Sequence, residues 1–186
     1  MHAAPERVER LVVLNCPHPA SMGRELRRNP RQLARSSYLF FFQLPWLPEW
    51  LLTRDRGRAV ARALRGGSHV RDAWPREELD RAREAFLRPG VASAALGYYR
   101  AAARRPGMAR RLAARAPIAA PTLILWGVHD RFLRQETIRP ERLRPYYAAG
   151  NEPRVVRIEK AGHFVQNEAP DRVNAELLGW LKASAC

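Results

Sequence analysis

Lysine is almost missing from this chain: of its 33 basic residues only Lys160 and Lys182 are lysines, and the rest are arginines. Acidic residues are few as well, 18 in all, which leaves a formal net charge of +15. A phosphate-binding surface usually gathers its basic residues into a patch, or a stripe interleaved with aromatics. The densest runs here, Arg24 to Arg35 and Arg100 to Arg115, read instead as solvated faces of ordinary helices. No nucleic-acid partner is therefore expected. Cysteine is limited to Cys16 and Cys186, too few for a disulfide framework and without zinc-ligand spacing, which suits a reducing compartment. Neither a metal nor a cofactor is expected. Long apolar runs are also missing. The most apolar stretch, Tyr38 to Leu52, is interrupted by Gln43, Pro45, Pro48 and Glu49, whereas a bilayer span needs about 20 mostly apolar residues. It reads as a buried or lid-type segment. Met1 to Arg7 carries no apolar leader core, so the expected location is cytoplasmic. Finally, no two of the 11 glycines stand four apart, so no G-x-S-x-G turn for a nucleophile can be found.

What is present favours an α/β fold. A chain of 186 residues with 46% apolar composition can bury a real core, and by length alone it suits one domain. Three short runs have the unalternating apolar character of parallel strands covered on both faces: Leu11 to Leu14, Thr122 to Trp126, and more weakly Arg154 to Ile158. Between the first two, helical patterns predominate. Pro75 to Leu87 places Leu79, Ala82 and Phe86 on one face and stops at Pro89-Gly90; Ala92 to Arg104 places Leu96 and Tyr99 on one face; Met108 to Ala114 is a short third helix. After the third strand, a helix from Pro170 to Ala183 carries the stripe Val173, Leu177, Trp180 and Leu181. There is no internal repeat or low-complexity linker.

Two loop residues follow strand ends. Asp130 lies just beyond the second strand and His163 just beyond the third. In open α/β sheets the functional crevice lies outside the carboxyl ends of the strands, where this acid and this histidine can meet. A carboxylate that holds the Nδ1–H of an imidazole leaves the other nitrogen free as a base. Equally, Asp130 could be a turn residue and His163 a polar residue flanking a helix.

The segment from Pro121 to Asp130 (PTLILWGVHD), followed by Ala161 to Pro170 (AGHFVQNEAP), resembles the acid strand and histidine loop of the α/β-hydrolase fold. Ser37 to Glu49 (SYLFFFQLPWLPE), then Arg88-Pro89-Gly90, then Leu96 to Arg100 (LGYYR), resembles the helical cap of epoxide hydrolases in that superfamily. Asn15 to Pro19 (NCPHP) resembles the strand end that leads into the cap. The acid and histidine motifs are generic to the superfamily; the Tyr38 and Tyr99 contexts belong to the epoxide-hydrolase branch. The likeness covers nearly the whole chain and implies a division into a core strand with its lead-in (1–18), a helical cap (19–118), and core strands and helices carrying acid and histidine (119–186).

In that family a nucleophilic aspartate opens the epoxide to give an alkyl-enzyme ester, and two cap tyrosines hydrogen-bond the epoxide oxygen. The resemblance puts Tyr38 and Tyr99 in that role, with Asp130 as the acid that orients His163 and His163 as the base that activates water for ester hydrolysis. The substrate it implies is a small apolar epoxide. His18 and His129 are expected to be structural, Cys16 to be a small buried residue, and Trp46 and Trp126 to line or pack the cavity. No nucleophile is found: the family's elbow precedes the strand matched by Leu11 to Leu14, and no His-Gly pair for an oxyanion loop occurs. The chain therefore resembles the C-terminal portion of the fold, about three parallel strands plus cap. Leu11 to Leu14 would then form an apolar sheet edge through which the isolated chain could self-associate. Alternatives within the fold are a haloalkane or haloacid dehalogenase or an esterase; outside catalysis, an inactive fragment serving as an interaction module.

Overall fold

The computed structural model describes residues 5–105, 107, 111 and 114–183. Its centre is a three-stranded parallel sheet in the order β1 (Leu11–Leu14), β2 (Thr122–Gly127), β3 (Arg154–Ile158). Leu11 pairs with Thr122 and Leu14 with Leu125; on the other side Leu123 pairs with Arg154 and Gly127 with Ile158. All three expected strands are present with the expected parallel sense. β2 is buried at every position because it is flanked by a strand on each side and covered on both faces. β1 is an edge strand and is only half-buried.

Alternate residues of β2 feed two separate cores, as the pleat requires. Ile124 and Trp126 pack with Ala20, Ile118, Ile138 and Leu143 on one face. Leu123 and Leu125 pack with Ile158, Ala161, Val165 and Val173 on the other. Helices supply both covers, with α1 (Pro19–Arg28) on the first face and the last helix, α9 (Pro170–Lys182), on the second. Truncating Leu123, which is fully buried, removes packing that no neighbour can replace. Leu123→Ala is expected to lower unfolding stability by about 2–5 kcal/mol, read from the urea midpoint; a loss under about 1 kcal/mol would show that this face is loosely packed.

The long connection from β1 to β2 is helical. After α1 come α2 (Pro30–Arg35), α3 (Tyr38–Phe41), α4 (Leu47–Gly67), α5 (Arg76–Leu87) and α6 (Val91–Arg104). α4 is two helical pieces joined by a break at Arg54 to Gly57, where Asp55, Arg56 and Gly57 adopt positive φ. The Arg83 guanidinium of α5 donates to the Arg56 carbonyl at 2.8 Å and so satisfies a group that the break exposes. The expected helices of this region are observed as α5 and α6. The one expected over Met108 to Ala114 falls largely outside the described residues. Beyond β2 come the short α7 (Pro140–Leu143) and, after β3, α8 (Val165–Glu168), which leads into α9. No helix among the described residues is long and apolar enough to cross a membrane.

Three sequence-based expectations require correction. Leu181 lies on the exposed side of α9, because it sits about 80° around the helix from the Val173, Leu177, Trp180 stripe. Cys16 is exposed: it lies two residues beyond the end of the edge strand, where among the described residues no further strand covers it. Trp46 is 72% exposed, at a positive φ immediately before α4, while Trp126 is fully buried in the core on one face of the sheet.

Candidate active site

β2 ends at Gly127, and the absence of a side chain there allows the two loops of the site to touch. A Cβ at Gly127 would lie 2.0 Å from the Gly162 carbonyl oxygen, so any larger residue would force the acid loop and the histidine loop apart. The Gly127 N–H donates to Asn15 Oδ1 at 2.8 Å, tying the end of β1 to the end of β2.

Asp130 sits in the turn that follows. Its Oδ1 accepts from the Phe132 and Leu133 N–H groups at 2.7 and 2.9 Å, a side-chain-capped turn. Its Oδ2 accepts from Asn15 Nδ2 at 2.7 Å and faces His163 Nδ1 at 2.8 Å. One oxygen of this carboxyl thus closes the turn, and the other faces Asn15 and His163. The Asp130 side chain is fully buried, whereas that of His163 remains 28% exposed. An ionised carboxylate can only accept, so Nδ1 carries the proton of the neutral imidazole and Nε2 is left basic. The His163 ring stands edge-on between Phe132 and Phe164, with centroids 4.9 and 5.0 Å away.

The helical connection brings the two tyrosines to the same place. Tyr38 opens α3 and Tyr99 lies on α6; their rings meet edge to face at 6.1 Å, and Tyr38 also contacts Phe132 at 5.6 Å. Tyr99, Tyr38, Phe132 and His163 therefore form a continuous chain of rings. Burial raises the Tyr38 phenol to about 12, helped by the neighbouring Tyr99 and Asp130. Burial raises that of Tyr99 too, with Tyr98 adding to it. Both phenols stay protonated throughout the neutral range and retain an O–H to donate.

Arg100 fixes the relative position of these two elements. From α6 its guanidinium donates to the Phe42 carbonyl at 2.9 Å and the Leu44 carbonyl at 2.7 Å, just beyond α3, and pairs with Glu49 of α4 through both carboxylate oxygens. This bidentate pair carries geometric information as well as charge.

His18 and His129 are structural, as expected. His18 Nδ1 accepts from the Ala20 N–H at the start of α1, and its ring stacks on Tyr146. His129 stacks on His69 at 3.9 Å, and its N–H donates to the Ala161 carbonyl. Sequence reasoning passed over Asn15 and Glu168. Asn15 is buried, at φ 39°, and its amide bridges Gly127 and Asp130. The signal available was an Asn closing an apolar strand, since Asn tolerates left-handed backbone. Glu168 is a buried carboxylate close to His163 in the fold, and its only trace in the sequence is an acid ahead of a helix-starting proline.

Comparison with known proteins fits this geometry. A family model described as "Alpha/beta hydrolase family" matches residues 1–176. Epoxide hydrolase 4 of Homo sapiens is 29% identical over 184 residues, covering 96% of this chain and 48% of that protein. The AB hydrolase superfamily protein YfhM of Bacillus subtilis is 31% identical over 179 residues, covering 96% of this chain and 59% of its own length. The chain thus spans about half the length of these relatives. Among solved structures, an epoxide hydrolase of Bacillus megaterium in complex with an inhibitor superposes with a TM-score of 0.80 at 24% identity, covering 97% of this chain and 63% of that one. At that identity the superposition speaks for the fold.

Proposed function

The chain belongs to the alpha/beta hydrolase family, and from that premise we propose that it carries the water-activating and oxygen-binding half of an epoxide-hydrolysing site. The observation behind this reading is the unbroken contact from Tyr99 and Tyr38 through Phe132 to His163, with His163 held by Asp130 at 2.8 Å. In this reading residues 19–118 form the cap, between core segments 1–18 and 119–186. Residues outside these 186 supply the nucleophilic carboxylate. β1 supports that assignment: it is an apolar, half-buried strand at the edge of the sheet, and among the described residues no strand pairs with its outer side. An apolar edge of this kind invites another strand.

The reaction balances as follows. The carboxylate oxygen attacks one epoxide carbon and the C–O bond breaks. The departing oxygen, accepting hydrogen bonds from Tyr38 and Tyr99, takes the proton of one phenol and becomes a hydroxyl, leaving a phenolate. His163 Nε2 then removes a proton from water, the hydroxide adds to the ester carbonyl, and the tetrahedral adduct breaks its acyl C–O bond. The diol oxygen leaves with the proton of the new carboxyl group, the carboxylate is regenerated, and the imidazolium proton returns to the phenolate. The net change is epoxide plus water to vicinal diol.

Joined to the N-terminal part of a full-length relative, the chain is expected to convert a small apolar epoxide to its diol and to release no halide from a chloroalkane. The 186 residues by themselves are expected to show no turnover. Faster halide release than ring opening would favour a dehalogenase. Epoxide turnover by the chain alone would place the nucleophile within it. In the joined enzyme, Tyr38→Phe or Tyr99→Phe should each slow ring opening about 10²-fold, and the double variant about 10³-fold. Single-turnover ester formation measures this step, and an unchanged rate in the double variant would remove the tyrosines from the mechanism.

A further inference from the structure

The Glu168 carboxylate is buried and accepts four backbone hydrogen bonds from two separate parts of the molecule. From the histidine loop, Gly162 N–H donates to Oε2 at 2.9 Å and Phe164 N–H to Oε1 at 3.0 Å. These are the residues on either side of His163. From the two residues that follow the Ser68 cap of α4, His69 N–H donates to Oε2 at 2.6 Å and Val70 N–H at 2.9 Å. The knot is tight. A Cβ on Gly162 would stand 2.9 Å from the His69 nitrogen and 3.1 Å from Glu168 Oε1. It is also braced from the acid loop, through the stack of His69 on His129 and the His129 N–H bond to Ala161.

We propose that Glu168 is a positioning residue that couples the seat of α4 to the orientation of His163. The inference takes the role of His163 from the functional reading above. Nothing else named in the site ties the main chain on both sides of that histidine to the long helix of the cap. Charge-assisted bonds to a carboxylate are the strong kind, and here four N–H groups converge on one ion. A glutamine in its place offers a single acceptor oxygen and turns an NH₂ toward donors that cannot accept. Some of the four N–H groups then lose their partner, and the loop can rotate His163 out of line with Asp130.

Two readouts on the full chain test this. In the ¹⁵N-labelled protein, without substrate, the downfield Nδ1–H resonance of His163 reports its bond to Asp130. Glu168→Gln is expected to lose or shift that resonance. Val173→Ala, a core truncation beneath the neighbouring helix, should lower the melting temperature and leave the resonance in place. If Glu168→Gln does not fold, Glu168→Asp decides the matter: it keeps the charge but retracts it by one methylene, and should shift the same resonance. In the joined enzyme Glu168→Gln should slow ester hydrolysis about 10²-fold, as small misplacements of a base do, with ester formation unchanged. A Glu168 variant that melts earlier with the His163 resonance unmoved would overturn the proposal. So would loss of the resonance in Val173→Ala to the same extent. Because the resonance is read without an epoxide, a failure of epoxide turnover would strike the functional reading and leave this coupling standing.

Discussion

His163→Gln, in the enzyme completed by a nucleophile-bearing segment, is expected to open epoxides at close to the normal rate and then stop at the ester. The two half-reactions draw on different groups. Ring opening needs the attacking carboxylate and the phenols of Tyr38 and Tyr99, which burial keeps protonated. Ester hydrolysis needs a base facing water, and His163 is both oriented by Asp130 at 2.8 Å and partly exposed. Glutamine approximates the size of the imidazole and has no basic nitrogen. A general base contributes about 10²–10⁴ in rate, so steady-state turnover should fall about 10³-fold, equivalent to about 4 kcal/mol in the barrier to hydrolysis. Intact-protein mass after mixing with epoxide checks it: the protein should gain the mass of one substrate molecule and keep it. Normal turnover would show that His163 is not the base. Normal loss of free epoxide without any covalent adduct would show that water attacks the epoxide directly.

The centre of the fold was legible because its middle strand, β2, is buried on both faces. A strand covered on both sides cannot alternate, and Thr122 to Trp126 stood out as an unbroken apolar run for that reason. The meeting of Asp130 and His163 was legible from their places just beyond strand ends, and the nearness of Tyr38 and Tyr99 from the residues that flank them. Three kinds of feature were hidden. Exposure at element ends depends on what lies beside them: Cys16 and Trp46 look apolar in sequence, yet the edge of the sheet and a left-handed residue leave them in solvent. The break in α4 was hidden because Arg54 to Gly57 contains only one strong helix breaker, Gly57, and the irregular backbone is held by Arg83 from another helix. Glu168 was hidden because its four partners are backbone groups, which have no sequence signature; two of them lie about a hundred residues away.

Asp130→Asn is expected to be the most damaging isosteric change in the chain, for a reason that its hydrogen bonds make explicit. Asp130 Oδ1 accepts from two backbone N–H groups, so the amide oxygen of an asparagine will take that side. Its NH₂ must then face both Asn15 Nδ2 and His163 Nδ1, two positions now occupied by donors. His163 can relieve its share by moving its proton from Nδ1 to Nε2, and that is the wrong tautomer for removing a proton from water. Fixing the wrong tautomer in an acid-histidine pair costs about 10⁴ in turnover, which should again accumulate the ester. Asn15 cannot change its donors. Left facing another NH₂ in a buried site, it should lower stability by about 1–3 kcal/mol. The double variant Asp130→Asn with Asn15→Asp separates the two costs. An aspartate at position 15 can still accept from Gly127 N–H and can also accept from the new amide, and Asp tolerates the positive φ found there. Stability should recover while turnover does not, since His163 still meets an NH₂. Recovery of turnover together with stability would mean that buried negative charge, and not the tautomer of His163, is what Asp130 contributes.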